Sequence, residues 1–311
     1  MNRSTAGSPA DQEEVASLVQ RLAVLLAAGV APPSAWGYLV PDDGQAVPST
    51  LVEVVSAIRN HTAADDAILN AVGGSPESAG WRGLAAAWGV ASAAGAPLAP
   101  TLAELAASLR DLAETGREVQ VALAAPIATA RMVMALPAVG VLFGLALGFD
   151  TLGTLFGTPA GLVCLAAGVG LMVAARFWNK RLVRSAAPVA HSPGLTLDLV
   201  AIAVSGGASI ERATQTVDDA CRRSAIPIEQ DRLAIDSVLH LSRRAGVPAA
   251  ALLRSEAAEV RRRARSDGAR RAATLSVTLM LPLGLCILPA FMLLGVAPLL
   301  IAVISSTVAG L

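Results

Sequence analysis

The sequence predicts an all-α, polytopic membrane protein with two repeated helical-bundle domains and three to four transmembrane helices. Three observations carry that prediction. Of the 311 residues, 54% are hydrophobic and only 15% charged, against ~45–50% and ~25% in soluble proteins. Charge is absent from 132–149, 151–175 and 272–311, all rich in apolar residues. Elsewhere apolar residues recur at three- and four-residue spacings, and no alternating β-branched run is present. This profile excludes an average cytosolic enzyme, a disordered chain and a nucleic-acid binder.

Taken in order, residues 1–14 read as a disordered N-terminus and 15–125 as a first helical domain. Its opening stretch, RLAVLLAAGVA, is amphipathic, with Val15, Leu18, Leu22, Leu25 and Leu26 on one face. It follows Asp11, Glu13 and Glu14 and lacks a basic leader, so it is a soluble helix rather than a signal peptide. The uncharged runs 132–149 and 151–175 mark the first two spans, 132–149 and 159–178, because a ~30 Å hydrocarbon core takes about 20 apolar residues as helix. Pro137 is tolerable in the first of them, where neighbouring helices can satisfy the freed carbonyl. The connecting DTLGTLFGTP (150–159) is short and Gly-rich, and reads as a tight hairpin.

A second helical domain covers 190–271 and a third span 274–294. No charge occurs from 272 to 311, and Pro282, Pro289 and Pro298 are expected to kink or divide this stretch. We expect a turn at 295–298 and a short fourth membrane helix over 297–311, a re-entrant piece or an apolar tail being the alternatives. Arg131, Arg176, Lys180, Arg181 and Arg184 flank the spans, as do the arginines of 261–271, whereas the 150–159 tip has none. The positive-inside rule then places both polar domains in the cytoplasm and the tip outside, in a multi-pass cell-membrane protein.

The zero net charge hides an asymmetry. Residues 1–131 carry a net −6 and residues 176–271 a net +7, so the two domains face different partners or each other. The densest charge lies in 254–271, where Arg254, Arg261 and Arg265 form one helical stripe and Arg262 and Arg263 lie beside it. Anionic lipid is the simplest contact for these five, at about 1 kcal/mol per basic residue. An acidic protein partner comes next, and nucleic acid is remote because no aromatic platform accompanies the charges.

Catalytic signatures are missing. The only lysine, Lys180, sits in FWNKRL, so no phosphate-binding loop can be built, and HExxH and GxSxG do not occur. Cys164, Cys221 and Cys286 have no zinc or disulfide spacing. The doublets Asp65–Asp66 and Asp218–Asp219 read as solvated helix ends, since adjacent helical residues do not share a face. His240 reads as a core or boundary histidine, Trp36, Trp81 and Trp88 as core or boundary residues, and Trp178 as an interfacial anchor. No catalytic residue, metal or cofactor is assigned.

The two polar domains echo each other. LAVLLAAGVAPPSAW (22–36) aligns with VAIAVSGGASIERAT (200–214), setting Gly29 on Gly207. AAGAPLAPTL (93–102) aligns with RAGVPAAALL (244–253), setting Gly95 on Gly246 and Pro97 on Pro248. A glycine in the left-handed conformation ends each leading helix, and Pro or Ser starts the next. The first copy holds a longer middle, with PDDGQAVPS and SPESAG in it.

This ordered set, repeated and followed each time by a membrane helix, resembles the F-domain proteins of type II secretion and type IV pilus machines. The ending LMLPLGLCILPAFMLLGVAPLL (279–300) is similar to that of the tight-adherence (Tad/Flp) pilus platform proteins. AAPIATARMVMALPAVG (124–140) makes the first half resemble their B-type member, and the second half resembles the C-type. Those proteins usually carry one F domain each, whereas two are expected here, the order found in general secretion platform proteins. The resemblance implies a non-enzymatic platform subunit that couples a cytoplasmic secretion ATPase to pilin assembly or protein secretion. Implied partners are that ATPase, other platform subunits including copies of itself, and pilin or pseudopilin subunits. A transporter permease is the alternative, though its spans would carry buried charges.

Overall fold

The computed structural model describes residues 9–40, 47–73, 79–146, 153, 156–186, 193–298 and 300. Every regular element among them is helical. In chain order these are α1 (Pro9–Ala27), α2 (Pro32–Gly37), α3 (Ser49–Arg59), α4 (Ala64–Val72), α5 (Ala79–Ala94) and α6 (Leu98–Ala146). They are followed by α7 (Pro159–Ala186), α8 (Leu195–Ser205), α9 (Ile210–Arg223), α10 (Arg232–Ala245) and α11 (Ala249–Thr278). The chain then alternates between α-turns, α12 (Met280–Pro282) and α13 (Leu288–Phe291), and π-turns at Leu283–Ile287 and Met292–Val296.

Helix α1 starts at Pro9, so residues 9–14 belong to it and not to a disordered leader. Proline suits the first helical turn because its missing N–H has no intrahelical partner there, and Asp11 suits the positive end of the helix. Arg117 also reaches back to Glu13 at 2.8 Å.

The backbone divides into two compact units, residues 1–117 with 188–266, and 118–187 with 267–311. In the first unit the two stretches read as separate helical domains share one core. The reason lies in α5 and α8. Helix α8, LTLDLVAIAVS, buries Leu195, Thr196, Leu197 and 199–203, leaving almost no face for solvent. Helix α5 buries ten of its sixteen residues, including Trp81, Leu84, Trp88 and Val90. A helix apolar all round must be enclosed, and α5, α8 and α9 enclose one another. Trp36 and Trp88 meet in this core with ring centroids 5.6 Å apart.

The turns between helices use one device. Gly29, Gly95, Gly207 and Gly246 have φ of +89°, +69°, +87° and +66°, and a Cβ on any of them would meet no atom within 4 Å. Backbone conformation, not space, therefore requires glycine there. Pro97 and Pro248 directly precede α6 and α11, while Ser209 caps α9 by accepting from the Arg212 N–H at 3.3 Å. Helices α3 and α4 occupy the longer middle of the first half.

In the second unit, α7 packs against the 280–296 stretch. Val119, Leu123, Leu275 and Leu279 make one apolar layer, and Ala175, Cys286 and Ile287 make another with Val133 and Met134. Further along, Gly140 lies against Phe291 and Gly295, and Gly168 against Leu294. Small residues at such crossings let membrane helices approach closely. Thr158 accepts from the Gly161 N–H at 3.0 Å and, with Pro159, starts α7.

Three helical stretches are long and apolar enough to cross a membrane: Leu98–Phe143, Pro159–Leu182 and Ala249–Val296. Helix α6 passes through Pro126 and Pro137 without interruption. The last stretch corrects an expectation, because no turn occurs at 295–298: residues 297 and 298 are helical. Each π-turn contains the carbonyl four residues before a proline, Leu285 before Pro289 and Leu294 before Pro298. The widened turn absorbs the missing donor and the ring clash without ending the helix. Apart from Leu300, the proposed fourth helix beyond 298 lies outside the described residues, as do most of the hairpin tip and Asp150.

Candidate functional site

The arginine-rich stretch falls on α11, and the structure divides its five candidate residues. Arg254 reaches Glu104 of α6 at 2.9 Å and Ser205 of α8 at 3.4 Å. Arg261 reaches Asp198 of α8 at 2.7 Å, with about four-fifths of each side chain buried. Ser108 of α6 donates to the same Asp198 oxygen at 3.3 Å. Two members of the stripe are thus committed to acids of their own unit. Arg262 and Arg263, one and two residues further on, are exposed and both grip Glu259, at 2.7 and 3.0 Å. Arg265 is exposed.

These contacts carry electrostatic consequences. Burial pushes the Asp198 carboxyl above the ordinary aspartate range, with Arg261 and the Ser108 hydroxyl pulling the other way. The hydrogen bonds from Arg262 and Arg263 hold Glu259 below the ordinary glutamate range. Asp198 was not singled out in the sequence. Its signal was its isolation: it is the one charge in an otherwise apolar helix, and a buried charge requires a partner.

A second cross-link joins the two sequence halves. Arg223 of α9 reaches Asp65 at 2.8 Å and Asp66 at 3.1 Å, both in the first turn of α4. The acidic doublet is therefore not simply solvated. Adjacent carboxylates leave a helix in different directions, yet a forked guanidinium has an N–H for each. Gly89 of α5 stands beside this junction, where a Cβ would lie 3.0 Å from the Asp65 carboxylate. A cleft of about 520 Å³ adjoins it, lined by Gly89, Ala93, Thr216, Ala220, Asp219, Arg222 and Arg223. Its charges are neutralised in place, Arg222 by Asp219 and Arg223 by Asp65 and Asp66.

The opposite charges of the two halves are partly matched inside this one unit. His240, by contrast, is exposed, as are Leu233 and Leu241; the inward face of α10 is Ile235, Val238, Leu239 and Ser242. Trp36, Trp81 and Trp88 are buried. Cys221 is buried beside Asp218 and Asp231, and burial first, then those carboxylates, pushes its thiol up to about 12. Among the described residues, no group of three or more His, Cys, Asp or Glu side chains could hold a metal ion.

Helices throughout the described residues, one core shared by the two sequence halves and three stretches long and apolar enough to cross a membrane define an all-helical membrane protein. Residues 18–146 match the family described as Type II secretion system (T2SS), protein F. That segment runs from within α1 to the end of α6, and it is this part of the chain that is similar to the family. No curated protein and no solved structure matches the chain.

Proposed function

We propose that this chain is a cytoplasmic-membrane platform subunit of a Tad/Flp pilus or type II secretion machine, coupling a cytoplasmic secretion ATPase to pilin assembly or export. The family match at 18–146 carries the reading. The fold supports its mechanics. Three helical stretches are long and apolar enough to cross a membrane, as a platform subunit requires. An α-helix transmits displacement along its axis because each turn is hydrogen-bonded to the next. The soluble unit, on this reading, is cytoplasmic and holds two F-type halves. Force applied to it by the ATPase tilts or rotates the spans, and a pilin or pseudopilin moves in response. The chain works beside further platform subunits, including copies of itself, and the partner supplies the energy.

The test is genetic and biochemical together. Deleting the chain is expected to abolish surface pili or substrate export while pilin stays in the membrane. Vesicles bearing the full chain are expected to recruit the machine's ATPase, whereas vesicles lacking it do not. Undiminished assembly and export in the deletion strain overturns the proposal.

A further inference from the structure

We propose that Arg131, Arg176, Lys180 and Arg181 form a headgroup site for anionic phospholipid. This collar, rather than the arginine stripe of α11, is the lipid contact of the protein. All four side chains are exposed. Among the described residues, none has an ion pair or hydrogen-bonding partner for its side chain. Four arginines of α11 differ: Arg254, Arg261, Arg262 and Arg263 each grip a carboxylate.

The sequence explains why the collar stays unpaired. From 119 to 197 the chain contains no acidic residue except Asp150, which is 19 residues from Arg131 and 26 from Arg176 in the sequence. Layering of the second unit puts the four cations near one depth. Ala175 packs with Val133 and Met134, so Arg176 and Arg131 flank the same layer. Lys180 and Arg181 follow within the next turn and a half of α7, just before Leu182, which packs near Ile127. From Arg176 back to Pro159 the helix rises about 26 Å at 1.5 Å per residue, close to the ~30 Å hydrocarbon core. The collar therefore sits where phosphate groups sit.

The neighbouring surface selects a lipid over an acidic protein. Phe177 and Trp178, between Arg176 and Lys180, are 68% and 41% exposed, and Met132, next to Arg131, is 76% exposed. A large aromatic ring beside cations at the end of an apolar helix is the arrangement of a membrane interface. Phosphate oxygens accept from guanidinium and ammonium groups there without leaving the headgroup layer.

Trp178 supplies the probe, since the other three tryptophans, Trp36, Trp81 and Trp88, are buried. The full chain is reconstituted in vesicles of equal phosphatidylglycerol and phosphatidylcholine, with brominated acyl chains on one lipid or the other. Each basic residue near an anionic surface is worth about fivefold at low salt. Brominated phosphatidylglycerol is therefore expected to quench Trp178 severalfold more effectively, and raising salt from ~0.05 M to ~0.5 M, which shortens the Debye length about threefold, is expected to reduce the preference. The variant Arg131→Gln, Arg176→Gln, Lys180→Gln, Arg181→Gln is expected to quench equally with both lipids. Arg262→Gln with Arg263→Gln removes two charges from α11 and is expected to retain the preference. If the fourfold variant does not fold, Arg176→Gln with Lys180→Gln is expected to lose most of it. Equal quenching in the wild type, an undiminished preference in either collar variant, or a loss in the α11 variant overturns the site.

Discussion

Gly206 at the end of α8 lies so close to Ala94 at the end of α5 that a Cβ on it would stand 2.3 Å from the Ala94 carbonyl oxygen. Its φ is −74°, a value any residue adopts, so the requirement for glycine is purely spatial. This is where the two sequence halves approach backbone to backbone. The obstructing atom belongs to the main chain and cannot rotate away.

Gly206→Ala is therefore expected to destabilise the full chain by overpacking, about 1–3 kcal/mol. Gly207→Ala, next door, meets open space but must hold φ at +87°, a conformational cost of about 1–2 kcal/mol. Adding further bulk separates the two causes. Gly206→Val is expected to be much worse than Gly206→Ala in thermal unfolding of the detergent-solubilised protein. Similar melting temperatures for the wild type and Gly206→Val would remove the close approach from the account.

The buried pair Asp198–Arg261 makes stability depend on pH. Because burial raises the Asp198 pKa in the native state, its stabilising contribution is full below the unfolded value and declines as pH rises through the native one. Arg261 limits that decline by favouring the carboxylate. In Arg261→Met the native pKa rises further, and the carboxylate at neutral pH is buried without its cation. Breaking such a pair costs up to about 3–5 kcal/mol when fully buried, and less here, where the side chains are 18% and 19% exposed. The melting temperature of Arg261→Met is expected to fall more steeply than that of the wild type between pH 5 and 8. Adding Asp198→Asn should flatten the dependence. Parallel pH profiles for wild type and Arg261→Met would falsify the assignment.

Much of this architecture was legible in the sequence, and the misses have physical causes. Gly29, Gly95, Gly207 and Gly246 announced their turns because only glycine adopts φ > 0 without strain. The turns at His61 and Ala225 carried no such mark, yet both residues take positive φ, 64° and 52°. Charge-free runs marked the membrane-length stretches, whereas the continuity through Pro289 and Pro298 depends on π-turns that proline spacing alone does not specify. The arginine stripe was visible as a pattern. That Arg254 and Arg261 are spent on Glu104 and Asp198 depends on how α6, α8 and α11 pack, and helical periodicity does not encode that. The shared core was not legible either: helical periodicity shows that α5 and α8 are apolar nearly all round, but not that each encloses the other.

Thiol chemistry gives a probe of that core. The thiolate is the reactive form, and Cys221, pushed up to about 12, is almost wholly protonated at pH 8 as well as buried. Cys221 is therefore expected to resist maleimide in the native protein and to react on unfolding. Mass-spectrometric mapping of modified cysteines before and after denaturation checks this. Prompt native labelling at Cys221 would mean that α9 does not seal against its neighbours.

In the membrane unit, two glycines on one helix make opposite predictions. A Cβ at Gly168 would lie 2.4 Å from Leu294 Cγ and within 3.0 Å of both its methyl carbons, whereas at Gly170 it would meet nothing within 4 Å. Both glycines sit inside α7, where replacing glycine by alanine favours the helix by roughly 1 kcal/mol in water. Gly170→Ala is accordingly expected to be neutral or mildly stabilising. Gly168→Ala collides with the branch carbon of Leu294, so the whole side chain must swing aside, and overpacking of about 1–3 kcal/mol outweighs the helical gain. Leu294→Ala on its own leaves a cavity in the same crossing and is also expected to destabilise. Combined, the two changes restore a small residue facing a small one, so the double variant is expected to be more stable than the sum of the single losses implies. Thermal unfolding of the four proteins in one detergent measures this coupling. Additive losses would show that α7 and the 292–296 turn do not meet at Gly168.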